Sequence, residues 1–113
     1  MQFVNLTPHS ITIRTSNGDV TLPSSGVARV SRGAGRETEV GGVRVVIPGP
    51  WGEVEGLPAS QEKIGLIVSA LVGARFEGAG REDIFTPGTG PLDGAIRDDQ
   101  GRIVAVTCLK QVR

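Results

Sequence analysis

The segment Thr86–Pro91, TPGTGP, combines two glycines with two threonine hydroxyls. Backbone N–H groups without a neighbouring side chain, together with hydroxyl donors, can bind an oxyanion such as phosphate or carboxylate. The segment lacks the Gly-Lys-Ser/Thr ending of a P-loop and the glycine spacing of a dinucleotide-binding loop. A rigid turn is the structural alternative. The candidate ligand contacts are Thr86, Gly88, Thr89 and Gly90.

A second polar group lies near the beginning of the chain, in Asn5-Leu-Thr-Pro-His9. Because Thr7 precedes a proline it should be extended, which places Asn5 and Thr7 on one face. His9 is the only histidine and could act as a general acid or base near neutral pH. A surface or hydrogen-bonded structural histidine is the alternative. We predict Asn5, Thr7 and His9 as further ligand contacts.

Trp51 is the only tryptophan, and two carboxylates follow it at Glu53 and Glu55. The indole could serve as a stacking surface for a ligand. On a strand the two carboxylates point to the same side, where they could hold a divalent ion or share acid and base roles. The alternative is a solvated strand face with Val54 turned toward the core. With one histidine, one cysteine and no CxxC or HExxH spacing, the sequence predicts no transition-metal site and no cofactor.

The pentapeptide GAGRE occurs twice, at residues 33–37 and 78–82. If the two loops met, Arg36 and Arg81 could grip one anionic ligand through their planar guanidinium groups. Two similar surface loops in a glycine-rich chain are the alternative. Arg97 is a further candidate ligand contact, and Cys108 is expected to be an inert core thiol in an apolar strand.

The overall composition argues against nucleic acid and membranes as partners of this chain. Lys plus Arg and Asp plus Glu each number 12, so no overall field draws the chain to nucleic acid or to an anionic membrane. The 113 residues suit one domain, and the longest apolar run is too short to span a bilayer. A single cysteine cannot form an intrachain disulfide, and the first residues do not resemble a secretion signal. These features predict a cytoplasmic protein that binds neither nucleic acid nor membrane.

The 17 glycines and 7 prolines imply short elements and frequent turns. Apolar alternation on both sides of Asn17-Gly18 predicts a hairpin with a type I′ turn. A second hairpin is expected at Gly41-Gly42, because Val43, Val45 and Ile47 share one strand face. The third turns at Asp98–Gly101, before an Arg102–Leu109 strand that is apolar on both faces and should therefore lie inside a sheet.

Residues 61–76 fit two descriptions. One is a strand near Ile64–Val68 followed by a short helix near Ser69–Arg75, with Ser69 as N-cap. The other is a single helix from about Ser60. The first is preferred because glycines and β-branched residues disfavour a long helix. The whole chain is thus predicted as mainly β within the α+β class. We expect a small antiparallel sheet, sandwich or partly open barrel built from hairpins, with one short helix.

Five short segments together resemble a group of small proteins encoded by bacteriophages, prophages and some bacterial genomes. They cover 30 of the 113 residues, in the same order. The resemblance implies a setting, the cytoplasm of a bacterial host, but no reaction and no catalytic residues. The segments are Asn5–His9, Gly52–Pro58, Ile67–Val72, Pro87–Pro91 and Asp98–Val104.

The functional hypothesis that follows is capture of a small anionic, nucleotide-like ligand, such as a host defence signal, by a homo-oligomer. A small hydrolase is one alternative, with His9 as base and Glu53 or Glu55 as its orienting group or metal ligand. A structural or protein-interaction module is the other, although no long apolar edge strand is evident in the sequence.

Overall fold

The structure is a computed structural model that describes all residues, 1–113. It is mainly β with one short helix and no closed barrel, which confirms the predicted fold class. The elements are β1 (Gln2–Asn5), β2 (Ile11–Thr15), β3 (Gly18–Leu22), β4 (Arg29–Arg32), β5 (Arg36–Val40), β6 (Val43–Ile47), β7 (Trp51–Glu55), β8 (Ile64–Ile67), α1 (Ala70–Ala74), β9 (Ile84–Pro87), β10 (Ile96–Arg97), β11 (Ile103–Ala105) and β12 (Leu109–Gln111).

The largest sheet has four strands in the order β1–β8–β9–β12. Both β1 and β9 run parallel to β8, whereas β12 is antiparallel to β9. The central strands are the most deeply buried part of the chain, as expected where both faces of a parallel pair are covered. This sheet is mixed, a feature that the sequence did not indicate.

The ambiguous stretch at residues 61–76 forms a strand followed by a short helix. Strand β8 ends at Ile67, and α1 begins after Ser69, whose hydroxyl accepts a hydrogen bond from the Val72 N–H at 3.3 Å. The preferred description, including Ser69 as N-cap, is therefore confirmed. No helix in the structure has the length and apolar character needed to span a membrane.

The core forms where the mixed sheet meets α1 and the loops that follow β1 and β3. Strands β4 and β7 lie against it through Val30 and Val54, which are half-buried. Within the sheet, Phe3 and Phe85 pack edge to face with centroids 5.2 Å apart. The buried residues that form this core are Leu6, Ala28, Leu66, Val68, Val72 and Ile84.

The first predicted hairpin is confirmed as β2–β3, but its turn differs from the predicted type. Thr15 pairs with Gly18, so Ser16 and Asn17 form the loop, and only Gly18 has positive φ, at 111°. The Thr15 hydroxyl accepts from the Asn17 N–H at 3.2 Å and donates to the Gly18 carbonyl at 2.7 Å. These two bonds hold a turn other than type I′, in which both central residues would need positive φ.

The second predicted hairpin is confirmed as β5–β6, with Gly41 and Gly42 both at positive φ, 58° and 80°. This matches the primed turn expected for a glycine pair. Its apolar residues do not join the core, however, because most of both strands is exposed.

The third predicted turn is also present, with Gly101 at φ 80° and its N–H donating to the Asp98 carbonyl at 3.0 Å. The strand after it is not continuous. It divides into β11 and β12, Ile103 and Val104 are exposed, and β12 lies at a sheet edge. The prediction of one strand inside the sheet holds only at Ala105 and Val106, which are buried and lie between β10 and β2. It is wrong for the rest of the segment, because the chain leaves β10 near Thr107 in order to pair with β9.

Candidate functional site

A cavity of about 540 Å³ opens between α1, the end of β9, the following loop and β12. We call it the loop cavity. Thr86 and Thr89 line it together with Gly90, so three of the predicted ligand contacts meet there. The charged residues of its wall are Glu77, Asp93, Lys110 and Arg113.

The backbone of the loop is shaped by close approaches of its two glycines. A side chain at Gly88 would collide with the sulfur of Cys108, and a Cβ at Gly90 would lie 2.7 Å from an Asp93 carboxylate oxygen. The Gly88 N–H donates to the Cys108 carbonyl at 3.0 Å. Gly88 therefore has a structural role, and its amide is not free for a ligand as the sequence suggested. Cys108 is half-buried beside this loop.

Asp93 occupies the position in which the sequence predicted an oxyanion. Its Oδ2 accepts the Gly90 N–H at 2.7 Å and lies 3.2 Å from the Lys110 ammonium. The Gly90 hydrogen bond, followed by that from Lys110, lowers the pKa of the Asp93 carboxyl. The loop therefore does bind a carboxylate, and that carboxylate belongs to the protein itself.

Lys110 is the cation that sequence reasoning missed. Its side chain is about half exposed, and only one hydrogen bond, to Asp93, engages its three ammonium donors. The sequence offered no signal for it, because Asp93 and Lys110 are far apart in the chain and meet only when β12 pairs with β9.

His9 lines a second cavity, of about 330 Å³, on the other side of the loop. Pro87 and Thr89 contribute to both cavities, and the second is lined largely by apolar residues that include the exposed Ile103 and Val104. We call it the His9 cavity. His9 and Thr89 therefore line the same cavity.

Asn5 and Thr7 are structural residues. The Asn5 amide donates to the carbonyls of His9 at 2.8 Å and Leu22 at 2.9 Å. Its oxygen accepts from the Thr7 N–H at 2.9 Å and from the Thr7 hydroxyl at 2.6 Å. Both side chains are buried, so the predicted contact between a ligand and Asn5 or Thr7 would require this network to open.

Trp51 lies away from the loop, at the start of β7, and the Arg32 guanidinium stacks over its ring 3.7 Å from the centroid. One face of the predicted stacking surface is thus already covered. Glu53 and Glu55 are exposed on β7 while Val54 turns toward the core, as strand alternation predicted. Glu53 lines a shallow depression with Trp51 and does not share a cavity with His9.

The three candidate arginines lie in separate places. Arg36 begins β5, whereas Arg81 forms a bidentate pair with Asp83, with N–O distances of 2.9 and 2.7 Å. Arg36 lines a small depression with Ile47 and Pro48, and Arg81 does not contribute to it. Arg97 donates to the Gly101 carbonyl at 2.8 Å and supports its own turn.

The geometry thus divides the predicted contacts into two groups. One group lines the two cavities beside the loop that follows β9 and consists of Thr86, Thr89, Gly90 and His9. Lys110 and Asp93 line the loop cavity with them. The remaining candidates are structural or distant. No family model, no curated protein and no solved structure is significantly similar to this chain.

Proposed function

We propose that the protein binds a small anionic, nucleotide-like ligand at the loop cavity. The observation that carries this proposal is the convergence of Thr86 and Thr89 with the Lys110 ammonium in one cavity. Its volume, about 540 Å³, lies within the range of small-molecule sites, about 300–1,000 Å³.

The contact between Asp93 and the loop indicates what kind of group the ligand would present. A carboxylate oxygen already accepts from the Gly90 N–H and from Lys110. A phosphate oxygen has the same acceptor chemistry and can approach the remaining ammonium donors. The anionic part of the ligand would therefore bind beside Asp93 or displace it from Lys110.

The His9 cavity would bind the less polar part of the ligand. Pro87 and Thr89 separate it from the loop cavity, and its wall is mainly apolar. A nucleotide has a charged phosphate and a less polar planar base, so a ligand of this class would use both cavities. From the resemblance to phage-encoded proteins alone, we further propose that this ligand is a host defence signal sequestered in the bacterial cytoplasm.

Calorimetric titration with AMP, adenosine and inorganic phosphate tests the proposal. We expect AMP to bind more tightly than adenosine or phosphate, because only AMP engages both cavities. Lys110→Gln should weaken AMP binding by roughly 10- to 100-fold, the effect of losing a charge-assisted hydrogen bond. Lys63→Gln is the matched control, since Lys63 is the only other lysine and lines neither cavity. Equal affinities of the two variants would overturn the proposed site.

Capture can be separated from the hydrolase alternative by the fate of the nucleotide. We expect AMP to be recovered intact by mass analysis after incubation and denaturation of the protein. His9→Ala should then weaken affinity only. Turnover that disappears in His9→Ala would instead support the hydrolase, although Glu53 lines a different depression from His9.

A further inference from the structure

Strands β5 and β6 form a two-stranded ribbon, residues 36–47, that pairs with no other strand. The chain is correspondingly extended: its radius of gyration is 16.9 Å, whereas a compact domain of this length has about 13 Å. Its accessible surface is 7614 Å², about 1,700 Å² more than the roughly 5,900 Å² expected of a compact monomer of this mass. The excess is about twice what one partner contributes to an interface of standard size.

The two faces of the ribbon differ in chemistry. The register pairs Val40 with Val43 and Thr38 with Val45, so one face carries Val40, Val43, Val45 and Ile47, whereas Val46 lies on the other. On the opposite face, Glu37 forms an ion pair with Arg44. Val40 and Val43 are each more than 60% exposed. An isolated hairpin with this much exposed apolar surface is only marginally stable in water, so an additional strand would stabilise it.

The outer edge of β6 carries unpaired backbone groups. In a hairpin with a two-residue loop the flanking pair, here Val40 and Val43, exchanges both hydrogen bonds. Bonding and non-bonding pairs then alternate, so the N–H and C=O groups of Arg44 and Val46 point away from β5. None of the backbone hydrogen bonds outside the strand ladders involves residues 36–47. This edge is therefore free to accept another strand.

The order of side chains along β6, VRVVI, is compatible with pairing to itself. If two copies align antiparallel about Val45, then Val45 faces its own equivalent, Val43 faces Ile47, and Arg44 faces Val46. No like charges oppose each other. The four outward-pointing groups of Arg44 and Val46 meet their counterparts, because this register makes Arg44 and Val46 a hydrogen-bonded pair.

The outer edge of β5 cannot pair with itself without placing like charges opposite each other. Antiparallel pairing of β5 about Thr38, which keeps the apolar faces together, places Glu37 of one copy opposite Glu39 of the other. Like charges directly opposite each other destabilise a strand pair. The charges of the ribbon thus favour association through β6.

We propose that two copies of the chain associate through the outer edges of β6, antiparallel about a two-fold axis at Val45, to form a continuous sheet β5–β6–β6–β5. Such an interface is isologous and closes on itself, so the product is a dimer and not a filament. It also removes the exposed strand edge that would otherwise promote aggregation. The proposal does not depend on the ligand site.

Sedimentation equilibrium from micromolar to millimolar protein tests the association. We expect a reversible dimer for the natural sequence. Val46→Pro removes one outward-pointing N–H without breaking a bond between β5 and β6, so it should abolish the dimer, whereas Val46→Ala keeps the N–H and should remain dimeric. Val45→Lys, which places two ammonium groups across the axis, should also give a monomer, and Leu92→Lys, at a position 98% exposed elsewhere, should not.

Amide hydrogen exchange locates the interface independently of any substitution. At high protein concentration the Arg44 and Val46 amides should be protected, and on dilution they should lose much more protection than Val43 and Val45, which stay hydrogen-bonded to β5. A natural sequence that stays monomeric at millimolar concentration would overturn the proposal. So would a dimer that persists in Val46→Pro but is lost in Val40→Lys, because that result would indicate packing through the apolar face of the ribbon.

Discussion

Among the polar residues, Asn5 is the most deeply buried, and its side chain makes the most hydrogen bonds. It is 1% exposed, and its amide donates two hydrogen bonds and accepts two. These bonds join the end of β1 to the carbonyls of His9 and Leu22, at the two ends of the β2–β3 hairpin. The side chain therefore fixes where that hairpin attaches to the central sheet.

Replacing Asn5 by alanine should lower the free energy of unfolding by about 3 kcal/mol, because buried partners lose their hydrogen bonds at about 1–3 kcal/mol each. Urea denaturation measures the change. Asn17→Ala is the control: Asn17 is exposed in a turn, and its replacement should cost no more than about 0.5 kcal/mol. A similar loss in the two variants would contradict the structural role of Asn5.

The Arg81–Asp83 pair is the most buried ion pair, with side-chain exposures of 25% and 9%. The Arg81 hydrogen bonds are the main cause of a lowered pKa at the Asp83 carboxyl. A carboxyl whose pKa is lower in the folded state contributes stability above its unfolded pKa, about 3.9. That contribution disappears as the pH falls through the lowered folded value.

Asp83→Asn should therefore destabilise the protein at neutral pH, by about 1–3 kcal/mol for a partly buried pair, and much less in acid. Unfolding measured from neutral pH to below pH 3 should show a smaller acid loss in the variant than in the natural sequence. Asp19→Asn, which breaks an exposed bidentate pair with Arg14, is the matched control and should have the smaller effect. Parallel pH profiles for Asp83→Asn and the natural sequence would contradict this role.

Among the elements, β8 depends on one glycine for its place in the sheet. Gly65 lies opposite Phe3 and next to the Phe85 ring, and a Cβ there would come within 2.7 Å of the first ring and 3.0 Å of the second. The edge-to-face pair thus fills the space that a side chain at this position would need.

Gly65→Ala should cost about 1–3 kcal/mol through overpacking, and Phe3→Leu in the same chain should restore part of that loss by removing the ring. Thermal or urea unfolding of both single variants and the double variant measures the coupling. Gly33→Ala is a suitable control, because a Cβ there would meet its nearest atom at 3.4 Å. Strictly additive effects would show that the ring does not set the requirement for glycine.

For the whole molecule, the ribbon of β5 and β6 is separable from the core. The Gly33 N–H donates to the Pro50 carbonyl at 2.8 Å just before the ribbon begins, and the core side chains come from other elements. Stability of the core should therefore not depend on residues 36–47.

Replacing residues 36–47 by a short turn should leave the unfolding free energy of dilute protein nearly unchanged. The radius of gyration should fall toward the roughly 13 Å of a compact domain. Small-angle scattering and urea unfolding test the two expectations. An unfolded product would show that the ribbon supports the core.

The sequence by itself determined the elements whose causes are local. These elements depend on backbone torsion and short-range hydrogen bonds, so neighbouring residues were sufficient to predict them. They are the turn at Gly41-Gly42, the turn at Asp98–Gly101 and the Ser69 cap. The mainly β class followed from frequent turns and short apolar stretches. Around the TPGTG loop, the residue types indicated where polar groups would gather.

Tertiary structure decided which surfaces are buried and which distant residues meet. Three features depend on contacts between remote segments, which the periodicity of the sequence does not encode. They are the division of the last strand, the parallel pairing of β1 with β8, and the exposure of Val43 and Ile47. Asp93 reaches Lys110 only because β12 pairs with β9, and Asn5 is buried only because Leu22 and His9 return to it. Alternation places side chains on a face, but packing alone determines what covers that face.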